Sequence, residues 1–250
     1  MQSRVVFFIT VAVFGLLHTA HGLVGGSPST RGLFPSNVST RSAPESCGGV
    51  AISPKQILTA AHCVLEENGE ALYKSGTTIE FRHGDDENLN PRFLLTKQAV
   101  KSIAIHPSYL EEIKKNKSVI ETSKNEHAFD LAIISFEKNL GLPPASIGNL
   151  NGSVVTFTGG GCQAAGGITS TLVRYGDLML KESIETIGVC ENSLEKKVSA
   201  CEGDSGSPVY QNGKVIGIVR GGSAFGDDGH AQYSAFTIID TNWVKKNTSP

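Results

Sequence analysis

Short apolar runs recur along this chain, and clusters of glycine, proline, serine and asparagine separate them. The runs fall at residues 47–52, 57–61, 77–83, 100–105, 129–134, 154–158, 172–180, 184–189, 214–219 and 232–239. Runs of this length between turn residues indicate β-strands, and no amphipathic helical pattern lies between them. The pattern therefore predicts an all-β protein made of antiparallel barrels or sandwiches.

Two segments depart from the strand pattern. Residues 111–125 are highly charged, which predicts an exposed excursion with a short helix. Residues 242–246 predict a short C-terminal helix that packs through Trp243.

The first 22 residues have the pattern of a secretory signal peptide. Arg4 supplies the positive start, residues 5–17 are almost wholly apolar, and residues 20–22 (AHG) place small side chains where signal peptidase cuts. The apolar run is too short for a membrane anchor, which needs about 20 residues. We therefore expect a signal peptide at 1–22, a mature domain at 23–250, secretion, and no membrane partner.

Composition and charge narrow the class of protein. The chain has 250 residues, 39% of them hydrophobic, and 28 glycines, which suits a turn-rich β protein with a large core. A formal net charge of −2 gives no electrostatic reason to expect a nucleic-acid partner. Carboxylates cluster at 84–88, but their spacing does not match a calcium-binding EF-hand, so we expect a solvated turn and no metal.

Five cysteines are available for disulfides if the chain is exported: Cys47, Cys63, Cys162, Cys190 and Cys201. The odd number leaves at least one thiol free or paired between chains.

The most distinctive stretch is 200–208 (ACEGDSGSP), where Ser205 lies between glycines and beside Asp204. Glycines permit unusual backbone angles and a close approach of other backbone, so this turn is suited to presenting a hydroxyl. A serine hydroxyl becomes a good nucleophile only when a base takes its proton. The sequence should therefore also supply a base and a group that orients it.

Two polar residues beside apolar runs are candidates for those roles. His62 follows the run at 57–61 and precedes Cys63; a lone histidine here would more often be a buried structural residue. Asp130 stands at the head of an apolar run, where a buried carboxylate needs hydrogen bonds. It either caps the strand or accepts a hydrogen bond from an imidazole and fixes its tautomer.

Three segments together resemble a known family. Residues 58–63 (LTAAHC), 130–133 (DLAI) and 203–208 (GDSGSP) are similar, in that order, to the catalytic motifs of the chymotrypsin/trypsin-like serine proteases. The resemblance covers the mature chain from residue 23 to about residue 244. It implies two six-stranded antiparallel β barrels, with His62 and Asp130 from the first barrel and Ser205 from the second.

The resemblance also implies a chemistry. Ser205 would attack a peptide carbonyl, His62 would move its proton, and Asp130 would orient His62. The backbone N–H groups of Gly203 and Ser205 would form the oxyanion hole. No cofactor or metal is implied; the expected partners are protein or peptide substrates and protein inhibitors, and the enzyme is expected to be a monomer.

Activation follows from residues 23–26 (LVGG), which resemble the family's mature N-terminus. The new amino group of Leu23 would form a buried ion pair with Asp204. Only residues 21–22 (HG) separate Leu23 from the signal pattern, so either signal peptidase cuts after Gly22 or a dipeptide is trimmed later.

The substrate pocket is the least familiar part of the chain. Ser199 matches the pocket floor, while Gly222 and Ala231 match its walls, so no fixed charge favours cleavage after Arg or Lys. We expect large apolar or aromatic residues before the scissile bond. Asp227 and Asp228 in the adjoining loop are able to restore a preference for cations.

Arg220 departs most from the family pattern, since its position usually holds a serine that bonds the triad aspartate. Three orientations of its guanidinium are open: it pairs with Asp130 and competes with His62, it enters the cleft, or it faces solvent. It motivates an alternative in which the chain is an inert homologue that binds without cutting. A third candidate, an esterase of the α/β-hydrolase type, lacks the final glycine of its motif and the helix after it.

The resemblance also bears on the disulfides. A Cys47–Cys63 bond fits the family, whereas the usual partners of Cys190 and Cys201 are absent. Cys162 lies in a glycine-rich loop expected beside the oxyanion turn, from which it would reach Cys201.

Overall fold

The computed structural model describes residues 23–29, 33–40, 46–83, 95–123, 125–161, 173–191, 198–222 and 233–248. Some sequence-based expectations concern residues outside these stretches, namely the signal peptide at 1–22, the acidic turn at 84–88, Cys162, Asp227, Asp228 and Ala231.

β-Strand is the main type of regular secondary structure in the described chain. The strands are β1 (Ser27–Pro28), β2 (Asn37–Thr40), β3 (Cys47–Ser53), β4 (Gln56–Thr59), β5 (Thr78–His83), β6 (Leu95–Ile105), β7 (Ala132–Phe136), β8 (Val154–Gly159), β9 (Arg174–Ile184), β10 (Ile187–Glu191), β11 (Pro208–Gln211), β12 (Lys214–Gly222) and β13 (Tyr233–Ile238). The helices are α1 (Pro107–Asn116), α2 (Val119–Ser123), α3 (Thr241–Asn247) and a 3-10 helix at Ala61–Val64.

The first barrel closes in the strand order β2-β3-β4-β7-β6-β5. On β4, Ile57 lies in the core inside this barrel, whereas its neighbour Leu58 packs in a second apolar cluster shared with the other barrel. Their partners on β7, Ile134 and Ile133, divide between the two cores in the same way. Because successive side chains on a strand point to opposite faces, strands buried on both faces read as continuous apolar runs.

The second barrel closes in the order β8-β9-β10-β13-β12-β11, with β8 and β9 also paired, and β1 extends it beside β9. Phe157 and Phe236 meet edge to face in its core, with ring centroids 5.8 Å apart. Gly188 and Gly217 leave room for Phe236, since a Cβ on either would lie 2.2 Å from its ring. The prediction of two six-stranded antiparallel barrels is confirmed.

Buried polar contacts join the two barrels. The Tyr210 hydroxyl donates to Asn37 Oδ1 at 2.6 Å, and Asn37 Nδ2 donates to Thr158 Oγ1 at 3.0 Å. Phe34 packs on Tyr210 at 5.1 Å between ring centroids. The crevice between the barrels is therefore held by directional hydrogen bonds as well as by apolar packing.

The charged segment between β6 and β7 forms two helices rather than the one short helix expected. Tyr109 and Ile113 lie one turn apart on α1, and both are buried in the core of the first barrel with Val119 from α2. Charged residues occupy the remaining faces, as in an amphipathic surface helix. Among the described helices, none has both the length and the apolar character needed to cross a membrane.

The C-terminal helix α3 is confirmed. The Asp240 carboxylate accepts hydrogen bonds from the backbone N–H groups of Asn242 and Trp243, both at 3.0 Å, which caps the helix N-terminus. Trp243 is buried against His106, with ring centroids 5.1 Å apart. The helix thus packs on a residue of the first barrel, at the head of α1.

The hairpin between β9 and β10 differs from the sequence-based strand boundaries. β9 continues to Ile184, and the chain turns at Glu185 and Thr186, where the sequence has no glycine, proline or asparagine to mark a turn. Glu185 takes a left-handed conformation with φ 46°. Its carboxylate forms an ion pair with the His127 imidazole of the first barrel.

Candidate active site

The turn that carries Ser205 precedes β11 and depends on two glycines with left-handed backbone. Gly203 has φ 87° and Gly206 has φ 81°, a region that favours glycine. The Gly206 N–H donates to the Val219 carbonyl at 2.8 Å, which fixes the turn to β12. The sequence pattern around Ser205 therefore corresponds to a sharply folded turn on the second barrel.

The first barrel packs directly against this turn. The Gly48 N–H donates to the Ser205 carbonyl at 2.6 Å, and the Thr59 hydroxyl donates to the Gly48 carbonyl at 2.7 Å. A Cβ on Gly206 would lie 2.4 Å from both the Gly48 carbonyl oxygen and Thr59 Oγ1. A side chain larger than hydrogen at position 206 would therefore have to displace the first barrel.

His62 and Asp130 form a closely hydrogen-bonded pair. His62 Nδ1 lies 2.6 Å from Asp130 Oδ2, and the backbone N–H of His62 donates to Asp130 Oδ1 at 3.0 Å. The Asp130 side chain has no solvent exposure, whereas that of His62 is 17% exposed. With Nδ1 donating to the carboxylate, Nε2 of a neutral imidazole is left as the acceptor.

Electrostatics keep the buried Asp130 carboxylate ionised. Burial alone would raise its pKa, but the charge of His62, the hydrogen bonds from His62 and the charge of Arg220 outweigh burial and lower the pKa. Asp130 is therefore an imidazole-bonded aspartate rather than a simple strand cap.

A disulfide holds the backbone beside His62. Cys47 and Cys63 are bonded as expected, with Cα atoms 6.2 Å apart. Because Gly48 follows Cys47, the bond connects the strand that contacts Ser205 to the short helix that carries His62. A ring nitrogen of His62 and the two sulfurs lie within 4.8 Å of one another, but bonded sulfurs are not thiolate ligands for a metal.

Asp204 is completely buried beside Ser205. Its carboxylate accepts hydrogen bonds from the N–H groups of Gly161 at 2.8 Å and Cys201 at 2.9 Å. Burial raises its pKa to about 7, and the two N–H donors only partly oppose that rise. A buried carboxylate with this pKa is suited to receiving a cation.

Leu23 and Val24 lie against the second barrel. The Leu23 side chain is fully buried in that barrel's core, and the Val24 carbonyl accepts the N–H of Ser199 at 3.0 Å. The segment predicted to become the mature N-terminus therefore already lies beside the predicted pocket floor.

The pocket residues predicted from sequence are described only in part. Ser199 is buried, and its hydroxyl has no hydrogen-bond partner among the described residues. Gly222 lies exposed at the end of β12, and Ala231 is outside the described residues. Ser199 contributes a hydroxyl and no charge to this position.

Arg220 does not face solvent, which excludes one of the three orientations that the sequence left open. Its side chain is buried, and its guanidinium donates to the carbonyls of Ala128 at 3.0 Å, Thr122 at 3.1 Å and Asn125 at 2.6 Å. The charge of Arg220 lowers the pKa of Asp130, while His62 hydrogen-bonds both carboxylate oxygens.

Outside the Cys47–Cys63 disulfide, one described cysteine is disulfide-bonded and one is a free thiol. Cys201 is disulfide-bonded, and its expected partner, Cys162, lies outside the described residues. Cys190 is a free thiol with no solvent exposure, and burial raises its pKa to about 12. Among the cysteines that the structure describes, Cys190 is therefore the unpaired thiol.

Sequence reasoning missed two residues that shape the site. Gly48 was seen only as part of a strand, although a pair of glycines beside Cys47 is a signal of close backbone approach. Thr186 was not considered; its hydroxyl donates to the carbonyls of Glu126 and Ala128, at 2.5 and 3.1 Å. Nothing in the sequence marks Thr186, because its partners are 60 and 58 residues away.

The two closed barrels and the crevice residues define a chymotrypsin-like fold, and comparison with known proteins agrees. The family model described as Trypsin matches residues 23–244, so the chain belongs to the chymotrypsin/trypsin-like serine protease family. It is similar to "Trypsin, alkaline C" of Manduca sexta, at 27% identity over 90% of this chain and 91% of that protein.

Two further relatives come from other insects. "Serine protease SP24D" of Anopheles gambiae is 29% identical over 89% of this chain and 80% of its own length. "Trypsin alpha-4" of Lucilia cuprina is 27% identical over 80% of this chain and 77% of its own length. The similarity thus extends over most of both chains in each comparison.

Proposed function

We propose that this protein is a secreted serine endopeptidase that uses Ser205, His62 and Asp130. The observation that carries the proposal is the buried Asp130 carboxylate bonded to Nδ1 of His62 at 2.6 Å. This arrangement leaves Nε2 to act on a proton. The glycine-rich turn of Ser205 is joined to the same barrel through the Gly48–Ser205 hydrogen bond.

The proposed reaction has two half-reactions. Ser205 Oγ forms a bond to the peptide carbonyl carbon while its proton passes to His62 Nε2. His62 then gives that proton to the departing amine as the C–N bond breaks, which leaves an acyl-enzyme. Water repeats the sequence, and the acid product and free Ser205 are released. Asp130 stabilises the imidazolium formed in both halves.

Two backbone N–H groups are assigned to the oxyanion. Within the described residues, neither Gly203 nor Ser205 uses its N–H in a hydrogen bond. In the proposed mechanism both donate to the negative oxygen of the tetrahedral intermediate, each being worth roughly 3 kcal/mol. Gly203 adopts a left-handed φ that supports this role.

For specificity, we propose a preference for large apolar or aromatic residues before the scissile bond. The buried, uncharged Ser199 supports this assignment, since a trypsin-like preference needs a carboxylate there. Gly222 and Ala231 are the proposed walls, and Asp227 and Asp228 are the candidates for an added cation preference.

Activation is proposed to occur when the chain is cut before Leu23. The buried position of Leu23 and the raised pKa of Asp204 support an ion pair between the new amino group and this carboxylate. Secretion rests on the signal-peptide pattern and on the Cys47–Cys63 disulfide, which is typical of exported proteins.

The alternative of an inert homologue depended on Arg220 disturbing Asp130. Because the guanidinium donates to three carbonyls and His62 binds both carboxylate oxygens, the geometry favours an active enzyme.

Labelling with a fluorophosphonate, which modifies activated serines, tests the proposal. The secreted protein should be labelled once and should cleave a diverse peptide library, whereas Ser205→Ala should do neither. Ser207→Ala removes the other hydroxyl of the same turn and should retain labelling. Full labelling of Ser205→Ala, or none of the wild type, contradicts the proposed function.

A further inference from the structure

The segment just before Asp130 belongs to the first barrel in chain order but is bonded to the second barrel. From β12, Arg220 donates to the carbonyls of Thr122, Asn125 and Ala128. From the β9–β10 turn, the Thr186 hydroxyl donates to the carbonyls of Glu126 and Ala128. We refer to residues 122–123 and 125–128 as the aspartate loop.

These contacts add to backbone hydrogen bonds within the loop, in which the Asn125 N–H donates to the Thr122 carbonyl at 3.0 Å and the Ala128 N–H donates to the Asn125 carbonyl at 3.2 Å. Thr122 lies near the C-terminal end of α2, where the carbonyls carry partial negative charge and attract a cation. A guanidinium presents several N–H groups in one plane, so a single side chain can satisfy three such carbonyls. The Ala128 carbonyl, two residues before Asp130, receives both Arg220 and Thr186.

We propose that Arg220 is a positioning residue for the catalytic pair: it fixes the aspartate loop so that Asp130 faces His62, and it places a positive charge near Asp130. This inference rests on the proposed function. Arg220 does not touch substrate or the reacting atoms in this role, and it acts through Asp130.

The positive charge of Arg220 also has an electrostatic effect, which is separate from its effect on the position of the loop. Among the described residues, the charged and titratable groups of this buried region include His62 from the 3-10 helix, Arg220 from β12 and Tyr109 from α1, while Glu67 acts on Tyr109. Tyr109 is neutral, because burial raises its pKa above the usual range. The charge of Arg220 lowers the pKa of Asp130, and a fixed positive charge in this region disfavours a second positive charge on the imidazole.

Two substitutions of Arg220 separate the two effects. Arg220→Gln removes the charge, and the acid limb of the pH profile of kcat/KM should move to higher pH by roughly half a unit or more. Arg220→Lys keeps the charge but loses the planar fork, so the acid limb should stay while kcat falls. Both should change kcat by about tenfold or more and KM by less.

Two further readouts do not depend on turnover. The low-field proton signal of His62 Nδ1–H should weaken or shift in Arg220→Gln. Amides of the aspartate loop should exchange with solvent faster in both variants. Lys214→Gln removes a charge from the exposed start of the same strand and should leave every readout as in the wild type.

Thr186→Val keeps the shape of its side chain and removes the donor to Glu126 and Ala128. If Arg220→Gln does not fold, Thr186→Val provides the test of loop positioning. Faster amide exchange in the aspartate loop together with a lower kcat supports the inference, and unchanged exchange and kcat overturn it.

The inference is also overturned if a folded Arg220→Gln retains the wild-type pH profile and loop exchange. If the wild-type protein neither reacts with the fluorophosphonate nor cleaves peptides, the proposed function fails. The His62 Nδ1–H signal and the amide exchange rates of the loop then still test whether Arg220 positions Asp130.

Discussion

At Gly206, one added carbon atom would clash with the neighbouring barrel. Gly206 has a left-handed φ, and a Cβ there would lie 2.4 Å from the Gly48 carbonyl and Thr59 Oγ1. Gly213 also has a left-handed φ of 72°, yet a Cβ there meets nothing within 4 Å. Comparing substitutions at Gly206 and Gly213 therefore separates the cost of backbone strain from the cost of a steric clash between the barrels.

We predict that Gly206→Ala lowers the free energy of unfolding by several kcal/mol more than Gly213→Ala, which should cost about 1–2 kcal/mol. Both substitutions pay the left-handed strain, but only Gly206→Ala must push β3 away from the turn. Urea unfolding of both variants measures the difference. Equal losses would show that the barrels do not touch tightly at this turn.

At the scale of residues, the sequence was enough to propose His62, Asp130 and Ser205 as candidates, because each stands beside a distinctive local pattern. It did not reveal Gly48 or Thr186, whose roles depend on backbone brought from distant parts of the chain. Arg220 was recognised as unusual, but its carbonyl partners lie more than 90 residues earlier, so no local pattern indicates them.

At the scale of elements, the Cys47–Cys63 disulfide joins β3 to the 3-10 helix of His62. It spans 16 residues in sequence, and a loop of this size predicts a loss of about 3 kcal/mol when the bond is removed.

We predict that the double variant Cys47→Ala, Cys63→Ala loses about 3 kcal/mol in free energy of unfolding. Its rate of fluorophosphonate labelling should also fall, since the backbone of His62 is no longer held. Cys190→Ala removes a buried sulfur without a bond and should cost about 1 kcal/mol. A double variant no less stable than Cys190→Ala would contradict this view of the disulfide.

Strand runs were predictable where a barrel strand is buried on one or both faces, as in β3, β4 and β11, whereas β9 is largely exposed. The β9–β10 turn and the second helix of the 107–123 region were harder to predict. Glu185 turns without a turn residue, and its contacts with His127 come from the other barrel. Helix α2 has only five residues, too few for a periodic pattern to be evident.

At the scale of the whole molecule, cleavage before Leu23 should change how stability depends on pH. In the uncut chain, burial raises the pKa of Asp204 to about 7, well above the ordinary value of an aspartate. The folded state then binds the proton of Asp204 more tightly than the unfolded state. The contribution of Asp204 to stability is therefore fully present at low pH and is lost as pH rises from about 4 to about 7.

We predict that this loss is present in a Ser205→Ala protein that retains residues 21–22 and absent when the chain begins at Leu23. The free amino group should keep Asp204 ionised in the cut form. Asp130, whose pKa is lowered, contributes equally to both forms and cancels in the difference. Urea unfolding between pH 4.5 and 7.5 measures both slopes; Asp204→Asn in the longer form is the control. Identical slopes in the two forms would contradict the ion pair.

The overall arrangement of two barrels followed from the family resemblance, and the strand pattern alone had left barrels and sandwiches open. Closure of each barrel requires pairings such as β8 with β9, which no single stretch of sequence encodes. How the aspartate loop connects the barrels likewise emerges only from the assembled molecule.

The buried free thiol of Cys190 has a consequence for how the native disulfides are reached. A thiolate, not a thiol, attacks a disulfide, and burial raises the pKa of Cys190 to about 12, so its thiolate is scarce at the pH of folding. Once the second barrel closes, Cys190 cannot reshuffle the bonds of its neighbours. Before closure it competes with the other four cysteines for partners. Closure of the core of the second barrel therefore fixes the pattern of disulfide pairing. Oxidative refolding should give the best yield under conditions in which this barrel closes before Cys190 is oxidised with a wrong partner.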